Sequence, residues 1–234
     1  MAKAAPKTPS PGWAETTEQQ LLDAALTIAP HEGWTSRLTV MAGKACGLSP
    51  GETELLLPQG PADLAALLSR RHDAQALEQL SAVDPKTLKI RERIARAVEA
   101  RLAVAAADEA AVRRWTGFLA LPPHMALGAR LAWESADVLW RWAGDTATDE
   151  NHYSKRALLA GILTGALAIR LSSGREAALA FTDRRIANVM AFETWKRTTK
   201  FKPSEFMTRA AEALGRARYG QGRPSPPAGE GGPR

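Results

Sequence analysis

Apolar residues recur at three- and four-residue spacing along almost the whole chain, and this is the period of a half-buried α-helix. No segment shows a convincing strand pattern. Gly and Pro separate the periodic segments, as they do where helices begin or end. Ala is frequent and β-branched residues are sparse, which also favours helix. The sequence therefore predicts an all-α protein.

About ten helices can be placed from this pattern. They are predicted near residues 16–30, 37–46, 50–58, from 61 onward, 85–106, 109–120, 124–143, 151–171, 175–196 and 204–216. Thr16 or Thr17 is expected to cap the first helix, Ser49 the third and Asp84 the fifth. The eighth helix is apolar nearly all round, which predicts a position in the middle of a bundle.

The same segments divide the chain into five regions. We expect a disordered arm at 1–14, a helix-turn-helix-like headpiece at 15–60, a helical bundle at 61–200, an amphipathic helix at 201–218 and a disordered tail at 219–234. The arm is rich in Pro and the tail in Gly and Pro, a composition typical of disorder.

The compartment is constrained by what the sequence lacks. The longest apolar run without a charge, 157–169, is shorter than the roughly 20 residues of a spanning helix. The N-terminal segment lacks the apolar core of a secretory signal. The single cysteine, Cys46, excludes an internal disulfide and is expected to be a small buried residue. We therefore expect a cytoplasmic protein, peripheral to the inner (cytoplasmic) membrane.

Charge is distributed unevenly. The chain carries +6 overall, but residues 1–60 are net −2, with six acidic and four basic residues. Residues 184–223 hold ten Lys or Arg against three Glu, which is net +7. The positive charge is thus a feature of the C-terminal part.

The first three predicted helices resemble the helix-turn-helix headpiece of the tetracycline-repressor superfamily. The resemblance rests on the order of Leu21–Leu26, Gly33-Trp34 and Ala45–Ser49. It implies an all-α, tetracycline-repressor-like fold with a ligand-binding bundle behind the headpiece. One hypothesis is therefore a ligand-responsive transcriptional regulator.

The third helix argues against DNA binding. Residues 49–57 contain Glu52 and Glu54 and no basic residue, whereas contacts to DNA phosphates need Lys or Arg. We expect no nucleic-acid partner. The alternative is a vestigial headpiece that packs through its three leucines, Leu55 to Leu57.

A second resemblance covers residues 18–200. The stretch Gly144-Asp145-Thr146-Ala147-Thr148-Asp149, followed by Asn151 to Ile162, resembles the signature of the ubiquinone-biosynthesis accessory family called Coq-nine. The segments at 21–26, 33–34 and 183–186 resemble it too. The resemblance implies a homodimer without DNA-binding activity. It also implies that the chain holds an isoprenoid quinone intermediate or a phospholipid and presents the demethoxy precursor to the di-iron demethoxyubiquinone hydroxylase.

The resemblance also implies a patch that binds the hydroxylase. Carried onto matching positions, the patch is Leu139, Trp142, His152 and Tyr153. His152 departs from the family, which often has Trp there. An imidazole offers less apolar contact than an indole, so the patch is expected to be weaker or matched to a different partner.

Small residues in the eighth helix, Gly161 and Gly165, leave room beside its backbone. They predict either close helix packing or a channel, and the family resemblance favours a lipid cavity in the 61–200 bundle, which is also expected to carry the dimer face. The expected lining is Ile94, Val98, Leu131, Leu158, Ile162, Gly165, Ile169 and Val189. Such cavities are mostly apolar with a few polar groups.

The tenth helix is expected to contact a membrane surface. Phe206, Met207 and Leu214 share one face, while Lys200, Lys202 and Arg209 supply positive charge, a pattern typical of peripheral helices. The alternative is a helix packed on its own bundle with a solvated basic face.

No constellation predicts catalysis. His31, His72, His124 and His152 are scattered, without metal-ligand spacing, and are interpreted as surface or capping residues. Asp145, near a helix start, is read as a capping or dipole partner. No phosphate loop, nucleophile elbow or triad pattern is present. We therefore predict a protein that is not an enzyme, with no cofactor and no metal.

Overall fold

The computed structural model describes residues 12–145 and 150–198. These residues form nine α-helices and no strand, which confirms the all-α prediction. The helices are α1 Trp13–Glu32, α2 Ser36–Ala45, α3 Pro50–Leu56, α4 Pro61–Leu80, α5 Ile90–Ala107, α6 Glu109–Leu119, α7 Met125–Trp142, α8 Glu150–Ser173 and α9 Arg175–Thr198. Short 3₁₀ turns occupy Pro85–Thr87 and Pro122–His124. The helix predicted at 204–216 lies outside the described residues.

The chain divides into two compact units, one ending at Ala187 and the other beginning at Asn188. Within the first unit, α1 packs against α2, α4 and α6, α4 packs against α5 and α7, and α7 packs against α8. The predicted headpiece shares one core with the helices that follow it, since Leu22 and Leu38 lie in the same buried cluster as Leu64 and Trp115. The expected boundary at residue 60 therefore lies inside one compact unit.

The short third helix forms as its sequence predicts. The Ser49 hydroxyl accepts from the Glu52 backbone N–H, and the Glu52 carboxylate accepts from the Ser49 backbone N–H, so the two make a capping box. Leu57 is buried, but Leu55 is 76% exposed. The expectation that all three leucines pack is therefore wrong for Leu55, because the helix turns that side chain towards solvent.

Two helix starts differ from their predictions. The first helix begins at Trp13, after Gly12, so Thr16 and Thr17 lie inside it and do not cap it. The segment expected to be one helix from residue 85 begins as a 3₁₀ turn that Asp84 caps. A new helix starts at Ile90, where the Glu92 carboxylate accepts from the backbone N–H of Lys89.

Helix α8 buries one face only, contrary to its predicted central position. Leu159, Ile162 and Leu163 are buried, whereas Tyr153 and Leu158 are exposed. Its segment His152–Ser173 is, among the described residues, long and apolar enough to cross a bilayer. The charge-free run at 157–169 had predicted a segment too short to cross a bilayer. Length and composition alone do not distinguish a spanning helix from a helix of a bundle, and the buried face of α8 packs against α7.

Candidate functional site

A cavity of about 1120 Å³ lies among α4, α5, α6, α7 and α8. Its walls are mostly apolar, and two indole rings, of Trp115 and Trp133, form part of them. Met125 and Gly161 line the cavity and are exposed, so the cavity opens to the surface. Its size and lining suit a bulky apolar ligand.

The predicted lining residues lie in several places. Leu131 and Gly165 line the cavity. Ile94, Val98 and Ile162 lie in a second buried core cluster, and Ile169 packs against that cluster. Leu158 lies on the exposed face of α8. Val189 lies beyond Ala187, in the second unit.

Most of the small residues of α7 and α8 that line the cavity were not among the predicted lining residues. The cavity wall there is made of Gly128, Ala129, Ala132, Ala160, Gly161, Thr164, Gly165 and Ala168. Their spacing of three or four residues on two consecutive helices is the signal that could have found them. Gly161 and Gly165 of α8 were singled out from the sequence, because glycine inside a helix is conspicuous.

A buried ion pair stands at the cavity wall. The Arg101 Nε donates to Asp73 Oδ1 at 2.7 Å, and the Ser135 hydroxyl donates to Asp73 Oδ2 at 2.9 Å. Arg101 and Ser135 line the cavity together with Ser69. Burial raises the pKa of Asp73, against the lowering effect of Arg101 and Ser135. Sequence reasoning missed this cluster, because nothing local marks a charged residue as buried.

His72 is fully buried behind this ion pair, so its interpretation as a surface or capping residue is wrong. Its Nε2 lies 3.1 Å from Asp108 Oδ2, and its Nδ1 lies 3.3 Å from Arg101 Nη1. Burial, and then the positive charge of Arg101, lowers the pKa of His72 to about 4. A neutral ring that accepts from Arg101 and donates to Asp108 fits these distances.

The residues of the predicted partner patch differ in exposure. Tyr153 is 65% exposed, and its ring meets the His152 ring edge-on with centroids 5.2 Å apart. Trp142 is half-buried against the second core cluster. Leu139 is fully buried in that cluster. Tyr153 is therefore the member of the set that solvent, or a partner, can reach most readily.

An ion network holds the start of α8 against the end of α7. Arg156 is 2% exposed, and it donates through Nε to Asp137 at 2.5 Å and through Nη1 to Asp145 at 3.2 Å. Lys155 Nζ donates to the other oxygen of Asp145 at 2.7 Å. Although burial opposes ionisation, these bonds lower the pKa of Asp145, and bonds from Arg156 and Arg141 lower that of Asp137. The conspicuous Gly144-Asp145 and Lys155-Arg156 motifs thus pair with each other through the Asp145 carboxylate.

The remaining predicted sites are less informative. Within the described residues no group of His, Cys, Asp and Glu could hold a metal ion. Burial raises the pKa of the partly buried Cys46 thiol, which gives no sign of a reactive thiolate. The six predicted membrane-binding residues, from Lys200 to Leu214, lie outside the described residues.

Residues 125–193 match the family model described as COQ9. The curated ubiquinone biosynthesis protein COQ9, mitochondrial, of Xenopus tropicalis is 29% identical over 199 residues, covering 77% of this chain and 60% of the relative. That of Bos taurus is 31% identical over 156 residues, covering 63% and 48%. That of Homo sapiens is 27% identical over the same length. The chain thus spans about half to three-fifths of the length of these relatives. The matches confirm its resemblance to the COQ9 family.

Proposed function

We propose that this chain is a lipid-binding accessory protein of ubiquinone biosynthesis. It holds an isoprenoid quinone intermediate in its cavity and presents it to the demethoxyubiquinone hydroxylase. The observation that carries the proposal is the cavity of about 1120 Å³ with mostly apolar walls, in a chain similar to ubiquinone biosynthesis proteins.

The cavity would lower the free-energy cost of moving a polyprenyl chain out of a bilayer. An isoprenoid tail outside the bilayer exposes apolar surface to water, at a cost of about 25 cal/mol per Å². Walls built from Leu119, Leu163 and Leu167, with small residues of α7 and α8 between them, keep such a tail dry. The open side allows the tail to enter without unfolding of the bundle.

The partner surface is proposed around Tyr153. Its ring lies 6.1 Å from that of Trp133, which lines the cavity, so the exposed patch and the cavity wall are neighbours. An exposed aromatic side chain is a common anchor of protein–protein contacts. Binding of the hydroxylase here would bring its active site close to the bound lipid.

The proposed accessory role involves no catalysis by the chain itself. The charged residues of the lining, Arg101 and Arg113, form ion pairs with Asp73 and Glu109. The proposal also includes two further features. The chain forms a homodimer, and its basic C-terminal segment contacts the cytoplasmic face of the inner membrane. They are supported by the family resemblance and by the excess of positive charge over residues 184–223.

Native mass spectrometry of the purified chain, followed by organic extraction, tests the proposal. We expect a copurified quinone precursor or phospholipid. In Gly161→Phe the fold should tolerate the new side chain, because no atom lies within 4 Å of the position that its Cβ would take. Since Gly161 lines the cavity, the added ring should occupy it and abolish copurification. Ala157→Phe, one turn earlier on the exposed face of α8, is the matched control.

Lipid-free protein from several hosts, which also binds no added quinone, would contradict the proposal. Lipid-free protein that shifts a DNA fragment in a salt-dependent manner would favour the regulator hypothesis instead.

A further inference from the structure

The cavity wall carries a buried polar cluster in a mostly apolar lining. Ser69, Arg101 and Ser135 all line the cavity, and each is at most 5% exposed. Other polar lining residues, such as Thr164 and Ser172, lie on the exposed side. The cluster is thus the place in the cavity where a polar atom of a ligand could be held away from water.

Hydrogen-bond donors in this cluster remain unused. Arg101 commits Nε to Asp73 and Nη1 to His72. Its Nη2 has no hydrogen-bond partner among the described residues, and neither does the hydroxyl of Ser69. Neither atom is fully enclosed, since Thr39 Oγ1 is the one fully buried side-chain atom without a partner among the described residues. Both donors therefore face the cavity, where an acceptor on a ligand can take the place of water.

The charge of the cluster decides which acceptor fits. Asp73 neutralises the guanidinium of Arg101 at 2.7 Å, and Asp108 adds a negative charge beyond His72. A phosphate would therefore meet no excess of positive charge. An uncharged oxygen, such as a ring carbonyl, needs only donors and not a net positive charge.

We propose that Ser69 and Arg101 form a head-group subsite that binds an uncharged carbonyl oxygen on the ring of a quinone-type ligand, with Asp73 and Ser135 positioning Arg101. This subsite rests on the proposed function, since it assumes an apolar ligand in the same cavity. The hydrocarbon part of the ligand then lies along the apolar walls. The subsite gives the cavity a preference between lipids of equal tail length.

Isothermal titration calorimetry with three probes tests the subsite. The probes are a decyl-substituted benzoquinone, decylbenzene, which has the same tail and ring without oxygens, and a short-chain phosphatidylglycerol. Ser69→Ala removes a hydroxyl that the fold does not use, and should weaken quinone binding roughly threefold to tenfold. Arg101→Gln should weaken quinone binding by roughly tenfold or more, because a hydrogen bond from a charged donor is stronger than one from a neutral donor.

Decylbenzene binding should stay within about twofold in both variants, well under the effect of one hydrogen bond. Ser81→Ala is the matched control, because its hydroxyl is exposed, lies outside the cavity lining and is bonded to Glu78 O. Since Arg101→Gln disturbs a buried ion pair, Ser69→Ala carries the conclusion if the Arg101 variant fails to fold.

The outcomes separate the two proposals. Equal losses for quinone and decylbenzene, or no loss with Ser69→Ala, overturn the subsite and leave the lipid-binding function standing. A larger loss for phosphatidylglycerol than for quinone also overturns it, in favour of a phosphate site. A wild-type chain that binds none of the probes contradicts the proposed function and the subsite together.

Discussion

The ring of Trp133 lies 6.1 Å from the ring of Tyr153, tilted by 30°. Trp133 lines the cavity, and Tyr153 is the most exposed member of the proposed partner patch. A change at the patch is therefore one aromatic contact away from the cavity wall. The proposed lipid site and the proposed partner patch are therefore adjacent.

Replacing Tyr153 with Ala should weaken binding of the hydroxylase. An exposed aromatic anchor contributes on the order of 2 kcal/mol, which corresponds to a loss of more than tenfold in affinity. Surface plasmon resonance with immobilised hydroxylase measures the effect. Leu158→Ala, an exposed apolar side chain farther along α8, is the control. Unchanged affinity in the Tyr153 variant would place the partner surface elsewhere.

Replacing Arg156 with Met should destabilise the junction of α7 and α8. The change leaves Asp137 and Asp145 without the buried guanidinium that bonds both. Removing one partner of a buried ion pair costs about 3–5 kcal/mol, and the partial exposure of Asp137 places this variant at the lower end. Urea denaturation measures the loss. Arg141→Met, which removes an exposed partner of Asp137, should cost less than about 1 kcal/mol.

Replacing Gly43 with Ala should destabilise the headpiece. A Cβ on Gly43 would lie 2.9 Å from Cγ2 of Thr53 and closer still to its Oγ1. Thr53 is buried and bonded to Ser49 O, so it has little freedom to move. We expect a loss of about 1–3 kcal/mol. In Gly117→Ala, where no atom lies within 4 Å, helix propensity should instead raise the thermal midpoint.

Protonation of His72 should make the fold less stable in mild acid. Its pKa is lowered to about 4 in the folded chain, against about 6.5 for an unperturbed histidine, so between these values the unfolded chain binds the proton more strongly. Stability from the neutral ring is present above pH 6.5 and is lost as the pH falls towards 4. The loss is on the order of 3 kcal/mol. His72→Gln should flatten this part of the profile, as measured by urea denaturation from pH 7.5 to 4; an unchanged slope counts against the assignment.

Local signals were sufficient for the helices themselves. Ser49, Pro50 and Glu52 mark the start of α3 by side-chain and backbone chemistry within four residues, and the structure has the capping box there. Asp84 also acts as a cap, but of a 3₁₀ turn. The helix α5 begins separately at Ile90, where the Glu92 carboxylate accepts from the Lys89 backbone N–H, so the predicted fifth helix is divided in two. The family motifs are likewise contiguous in the chain and need no tertiary structure to be read.

What the sequence determined by itself is therefore the all-α class, most helix positions and the resemblance to the COQ9 family. Tertiary structure decided which apolar residues meet a neighbouring helix, as Val98 does, and which meet the cavity, as Leu131 does. It also decided that His72 and Arg156 are buried. The reason is physical: helical period fixes which residues share a face, but the burial of that face depends on helices distant in sequence.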